Sequence, residues 1–348
     1  MRDIILLIIL ASLCSQCLDK FDFEIEEGDV EKVLVVDGVL SNSQGPHKVT
    51  LSRTQPFGTK FIDPVTNARV LLNSQEEFID QGNGDYILEN FTPQIGSEYF
   101  LSISLSDGSS YESDPAIMPI SIKPDSNYVK YEKDIFTSPT GSERITNVMN
   151  VYLDTALPNN DNQEYYLRWV TDGLSVFPEE SCGGLHMPKS CYLYEPPKTQ
   201  NVSLQSSENI SGNRLVDQQV AQKSSFTINE FKALYVFSTY QFSITKESFD
   251  YWSDLKSLAN QSGTVFDLPP AALQGNIKNI TEENELVLGY FDVVAIDTVR
   301  ARVIGAEFRE NINGIVPCSP FSRRSWPQEC CECLVLDRSS TVRPDWLE

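Results

Sequence analysis

Tyr99-Phe100-Leu101-Ser102-Ile103-Ser104-Leu105-Ser106-Asp107-Gly108-Ser109-Ser110-Tyr111 decides the fold class of this chain. Apolar and hydroxyl residues alternate, which puts Leu101, Ile103 and Leu105 on one face of an extended segment and Ser102, Ser104 and Ser106 on the other. Asp107-Gly108 supplies a tight turn before Tyr111, so the stretch predicts a half-buried antiparallel hairpin. The same pattern continues outward toward the N-terminus. Val33-Leu34-Val35-Val36 runs into Asp37-Gly38, residues 47–53 alternate around Val49 and Leu51, and residues 69–73 form a further apolar strand. Gly82-Asn83-Gly84-Asp85 is a turn cluster feeding Tyr86-Ile87-Leu88. About seven strands spaced about 8–12 residues apart, without a helix between them, predict a β-sandwich over residues 32–120, immunoglobulin-like or transthyretin-like.

Pro115, Pro119 and Pro124 read as a connection to a second β-rich domain over residues 121–348, with strands near 147–154, 165–171, 234–244, 285–295 and 298–304. One short helix, 246–261, is inserted there. Thr245 can cap it, and Phe249, Trp252, Leu255, Leu258 and Ala259 recur at three- and four-residue steps until Gly263. The fold class is therefore mainly β with one inserted helix and a cysteine-rich C-terminal segment.

Residues 4–13 are an apolar run preceded by Arg2. A finished membrane helix needs about 20 such residues, so the run has the length of a signal-peptide core instead. Residues 1–16 read as the signal peptide. Cys17, where polarity changes into Leu18-Asp19-Lys20-Phe21-Asp22, reads as the fatty-acylated first residue of a lipoprotein, with Cys14 as competitor. Residues 17–31 then form an acidic tether, able to span roughly 45–50 Å when extended. With 49 acidic against 27 basic residues the chain carries a net charge of −22. A field of that sign repels phosphate backbones and excludes nucleic acid as a partner; it also disfavours anionic lipid, which leaves the acyl anchor as the membrane contact.

Six further cysteines, Cys182, Cys191, Cys318, Cys330, Cys331 and Cys333, read as disulfides in an exported protein. Cys182 and Cys191 flank a short Gly/Pro loop that could close on itself. The last four allow three pairings, although the vicinal Cys330 and Cys331 would strain the peptide between them. A four-thiolate zinc or copper(I) site is the alternative; the spacing lacks Cys-x-x-Cys, and no metal or other cofactor is expected.

There are two histidines. His47, after Gly45-Pro46, reads as a surface turn residue and His186 as a polar loop residue. No Gly-x-Ser-x-Gly elbow, zinc-binding His-Glu-x-x-His or phosphate loop is present, so the chain does not read as an enzyme. Tyr192 and Tyr194, beside Pro196-Pro197, are the candidate contact surface. Asp154-Thr155-Ala156 and Asp297-Thr298-Val299 match a short bacterial O-glycosylation pattern.

Several of these words, in fixed order, resemble a lipoprotein family of Bacteroidota catalogued as domain of unknown function 4249. They are Leu34-Val35-Val36-Asp37-Gly38, Lys48-Val49-Thr50-Leu51-Ser52-Arg53, Asp107-Gly108 before Tyr111-Glu112-Ser113, and Tyr240-Gln241-Phe242-Ser243-Ile244. Tyr251-Trp252, Gln261-Ser262-Gly263, Gly275-Asn276-Ile277 and Val287-Leu288-Gly289-Tyr290-Phe291 continue the series, which ends in Cys330-Cys331-Glu332-Cys333 and Arg343-Pro344-Asp345-Trp346. The resemblance implies an outer-membrane lipoprotein found alongside TonB-dependent receptors, and brings no catalytic residue with it. The expectation is a non-enzymatic accessory or ligand-capture partner of an outer-membrane β-barrel receptor. A cell-surface hydrolase of polysaccharide or peptide, and an adhesion or envelope-structural protein, are the alternatives.

Overall fold

The computed structural model describes residues 32–347 except 57–58, 60, 138–140, 160–162, 183–186, 195–196, 198–201, 211, 225–233, 261–272, 305–317 and 319–325. The signal peptide, Cys14, Cys17, the tether, His186 and Gly263 lie outside the described residues. The described chain is mainly β with one α-helix.

The diagnostic hairpin forms as its alternation requires. Leu101, Ile103 and Leu105 are buried, while Ser104 and Ser106 face solvent. Asp107 turns the chain by accepting a hydrogen bond from the Ser109 amide at 2.9 Å. Strands Leu101–Ser104, Arg69–Leu72 and Ser110–Ser113 make one antiparallel layer. His47–Arg53, Asp85–Leu88 and Leu34–Ser41 make another. Glu76–Asp80 pairs with both Arg69–Leu72 and Asp85–Leu88, joining the two layers. Inward residues of both (Val70, Leu72, Leu101 and Ile103 from one; Val36, Val49, Leu51 and Tyr86 from the other) share a single core, so the sheet folds over on itself.

That core is not drawn from the first 120 residues alone. Ile277, Val287, Phe291 and Val293 also pack in it, and Ile277–Asn279 adds an edge strand beside Ser110–Ser113. The long strand Val287–Val303 is the reason. Its first half runs parallel to Leu34–Ser41, the one parallel pair among the described strands, and its second half pairs antiparallel with Leu234–Ile244. Leu234–Ile244 pairs in turn with Tyr166–Pro178, which pairs with Ser190–Tyr194. A separate three-stranded sheet, Ser126–Thr137, Glu143–Ala156 and Arg214–Ser224, covers the inner face of this half. Their shared core holds Met149, Val151, Leu153, Trp169, Tyr235, Phe237, Ala301 and Val303. Two lobes thus share one strand.

Gln241 ties the second core together. Its amide oxygen accepts from Thr155 Oγ1 and Trp169 Nε1, both at 2.9 Å, and its nitrogen donates to the Ile122 carbonyl at 2.6 Å. Thr155 is completely buried, so the first glycosylation tripeptide is inaccessible in the folded protein; Thr298 is half-buried.

The helix is Lys246–Asn260. Thr245 caps it by accepting from the Ser248 amide at 3.2 Å, which satisfies one donor of the first turn. Its apolar side lies on the outer face of the shared sheet, where Phe249 meets Tyr166, Ile244 and Val294.

The cysteines pair as Cys182–Cys331, Cys191–Cys333 and Cys318–Cys330. The loop between Cys182 and Cys191 therefore does not close on itself. Each of its ends is bound to the C-terminal segment, because that segment returns beside Ser190–Tyr194 and places Ser339–Ser340 on its edge. Glu179 reinforces the return. Its buried carboxylate accepts from the Cys333 amide at 2.9 Å and the Lys189 amide at 3.1 Å.

Candidate functional site

Leu34-Val35-Val36-Asp37-Gly38 lies residue for residue beside Val287-Leu288-Gly289-Tyr290-Phe291. Val36, Val287 and Phe291 point into the first core, so the alternate positions, Asp37 and Val39 on one strand and Tyr290, Asp292 and Val294 on the other, share the outer face. The chain ahead of Ile277–Asn279 crosses close to this pair. Gln274 bridges Leu288, and the Asn276 side chain acts as a surrogate strand, donating to the Phe291 carbonyl and accepting from its amide, both at 2.9 Å.

The helix closes over the outer face. Ser248 Oγ and Trp252 Nε1 each donate to one oxygen of Asp292, the latter at 2.9 Å. Tyr251 stacks on Tyr290 with ring centroids 4.5 Å apart, and Phe249 packs against Tyr166 at 5.1 Å. Arg168 rises from the neighbouring strand, directly opposite Phe242. Its guanidinium carbon lies 4.4 Å from the Phe242 ring centroid and 4.2 Å from that of Trp252. Arg168 is 9 % exposed and Asp292 2 %. The words on which the family resemblance rests (Asp37, Phe242, Tyr251-Trp252, Asn276, Gly289-Tyr290) thus meet at one seam between sheet and helix.

Burial sets the electrostatics. It pushes the Asp292 carboxyl above the usual carboxylate range, against the opposing effects of the Ser248 hydrogen bond, the Arg168 charge and the Trp252 hydrogen bond. Burial likewise lowers the Arg168 guanidinium, opposed by Asp292 and Asp37. Tyr251 and Tyr290 are both raised, by burial and then by the nearby Asp292 charge. Asp292 spends its two oxygens on Ser248 and Trp252, so it balances the charge of Arg168 without taking up its N–H donors. A buried cation between ring faces is a geometry for recognition and for positioning.

Removing that carboxylate tests how tightly the helix is held. Asp292→Ala leaves Trp252 Nε1 and Ser248 Oγ without their acceptor and Arg168 without its nearest counter-charge; a loss of about 3–5 kcal/mol is expected in urea unfolding. Asp292→Asn keeps an acceptor and should lose less. The pH dependence has a definite sign. An acid raised in the folded state contributes stability that is complete below its unfolded value near 4 and disappears as pH rises through its folded value. The stability of the wild type relative to Asp292→Asn should therefore fall as pH rises above about 4; a difference that does not change with pH would refute this account.

The residues singled out from sequence sit elsewhere. Tyr192 is half-buried in a cluster with Val236, Trp346 and Leu347, so the C-terminal tail packs against it, whereas Tyr194 is 45 % exposed. His47 is not a surface turn residue. It is buried, with Nε2 2.9 Å from the Phe91 carbonyl oxygen, because the strand it opens brings it under Phe91. Arg168, Ser248 and Asp292 escaped the sequence reading. The available signal was a single charge at an outer-face position of an otherwise apolar strand, in Tyr166-Leu167-Arg168-Trp169 and in Phe291-Asp292-Val293. A depression of about 490 Å³ also opens in the first lobe, lined by Lys32, Arg53, Asp63 and Asp107. Its cations are already paired, Lys32 with Asp63 at 2.7 Å and Arg53 with Asp107 at 3.8 Å.

No curated protein matches the chain. A family model described as Domain of unknown function (DUF4249) matches residues 19–300, a span that holds every residue of the seam, and the chain belongs to that family.

Proposed function

We propose that this protein is an outer-membrane lipoprotein, acylated at Cys17, which works without catalysis as an accessory or ligand-capturing partner of a TonB-dependent β-barrel receptor. The observation that carries the reading is the order of segments at the N-terminus. An apolar run, a cysteine and an acidic tether lead into Leu34–Ser41, a strand hydrogen-bonded on both edges. Such a strand would pass any pull on the anchor straight into the sheet that both lobes share. Bacterial N-terminal acylation adds more than one chain, and two chains suffice for stable attachment. A tether of this reach keeps the body at high effective concentration around a neighbour in the same membrane.

The test is gentle extraction of an affinity-tagged, full-length copy from outer membranes. Recovery together with a large β-barrel protein is expected, and conversion of Cys17 to serine should abolish both membrane retention and co-recovery. Repeated recovery of the protein alone, or an unmodified amino terminus by intact mass, would defeat the proposal.

A further inference from the structure

We propose that the seam between helix and sheet binds a carboxylate group, gripped edge-on by the Arg168 guanidinium between the rings of Phe242 and Trp252. The starting point is an unmet requirement. Arg168 is 9 % exposed, and its Nε is fully buried without a hydrogen-bond partner among the described residues. The contacts it does make are to ring faces, at 4.4 and 4.2 Å. A guanidinium carries its N–H donors in its own plane, so contacts across its faces leave the donors unused. A buried charged donor is the most costly kind to leave unsatisfied.

The neighbouring groups define what would satisfy it. Asp292 accepts from Ser248 and Trp252 and, among the described residues, makes no hydrogen bond to Arg168, whose Nε stays unpaired. Asp292 and Asp37 nevertheless place negative charge around Arg168. That field opposes a phosphate dianion more strongly than a monoanion. Flat aromatic rings beside the guanidinium favour a planar group over a tetrahedral one. A carboxylate is planar, singly charged and matches the guanidinium fork with two parallel hydrogen bonds. Three sources share this chemistry: a small organic acid, a uronate sugar and the free C-terminus of a peptide. The site would give the proposed capture role a ligand class, yet it stands on the seam geometry and not on the receptor partnership.

The experiment uses the mature, full-length chain and titrates acetate, glucuronate and N-acetylglycine at constant ionic strength. Calorimetry and the 15N-resolved Nε–H signal of Arg168 are the readouts. Saturable binding of at least one carboxylate is expected, with movement of the Arg168 Nε–H signal, and the tightest of the three names the source. Phosphate should bind at least about tenfold more weakly. Arg168→Lys keeps the charge and loses the fork, and should weaken binding about tenfold or more. If that variant does not fold, the wild-type Nε–H titration decides alone. An Nε–H signal that stays still with all three acids, that moves equally with chloride, or that responds to phosphate as strongly as to carboxylate overturns the inference. Success here with failed barrel co-recovery, or the reverse, separates this site from the receptor proposal.

Discussion

Substituting alanine for Gly289 is expected to leave no folded protein under ordinary conditions. Gly289 sits at φ +89° inside the Val287–Val303 strand, and a Cβ built there would lie 2.0 Å from the Val36 carbonyl oxygen. That oxygen belongs to the backbone of a strand paired on both sides, so it cannot step aside without opening the sheet. The approach is crowded from the other direction as well, because a Cβ on Gly275 would lie 1.5 Å from the carbonyl oxygen of Gly289 itself. Three stretches of main chain meet where side chains have no room. Gly82 is the natural control, with φ +80° and nothing within 4 Å of a built Cβ. Gly82→Ala should register the left-handed backbone alone, about 1–2 kcal/mol. Gly289→Ala adds a backbone collision and should exceed about 5 kcal/mol, comparable to the whole stability of many domains. A urea midpoint measures the Gly82→Ala loss, and near-ultraviolet circular dichroism without denaturant shows whether Gly289→Ala folds at all. A Gly289→Ala protein that unfolds within the range of the Gly82→Ala shift would show that the three segments do not approach as described.

The crossing at Gly289 also explains how far the fold could be read in advance. Leu101, Ile103 and Leu105 declared a strand because burial on one face of a sheet imposes a two-residue period on local sequence. The helix declared itself through Thr245 and the spacing of its apolar residues. Both signals are contained in about a dozen neighbouring residues. The pairing of Leu34–Ser41 with Val287–Val294 is not: both strands are apolar, and nothing local tells either which partner it takes. The same limit hid the binding seam. Nothing in the neighbouring sequence sets Arg168 or Asp292 apart from a solvated charge; it is the helix, from a third part of the chain, that covers them. Tyr192 misled for the mirror-image reason, since its cover arrives with Trp346 and Leu347 at the far end of the sequence. The family words could be recognised in order, but their convergence is a property of the fold. Completing the first core also requires residues made after nearly all the second lobe, so this topology should fold slowly.

Loss of both Cys182–Cys331 and Cys191–Cys333 is expected to exceed the sum of the two single losses by about 2 kcal/mol. Each bridge alone closes a loop of 149 or 142 residues. They nevertheless run almost side by side: Cys182 is nine residues from Cys191, and Cys331 two from Cys333. With one bridge in place, the other constrains only the short circuit between them, a loop of about 11 residues, worth about 3 kcal/mol by chain entropy. Once the first is gone, removing the second frees the whole long loop and forfeits about 5 kcal/mol more. The pair should therefore lose about 8 kcal/mol together, some 2 kcal/mol beyond the sum of the single losses. Exposure gives a way to separate the steps. Cys182 is exposed, whereas Cys191 and Cys333 are fully buried beside Phe177 and Leu193. Mild reductant should open Cys182–Cys331 first, with a modest fall in melting temperature, and stronger reductant should then produce a steep one. Alkylation mass spectrometry during the titration assigns each fall to its bridge, and Cys182→Ser and Cys331→Ser should reproduce the first step. The non-covalent hold of the C-terminal segment, through Glu179 on Cys333 and Arg300 over Trp346 at 4.3 Å, remains in every variant. The difference must therefore arise in the unfolded chain, where one bridge already confines nearly everything the other does. Strict additivity of the two single losses would disprove that shared confinement, and with it the parallel course of the two bridges.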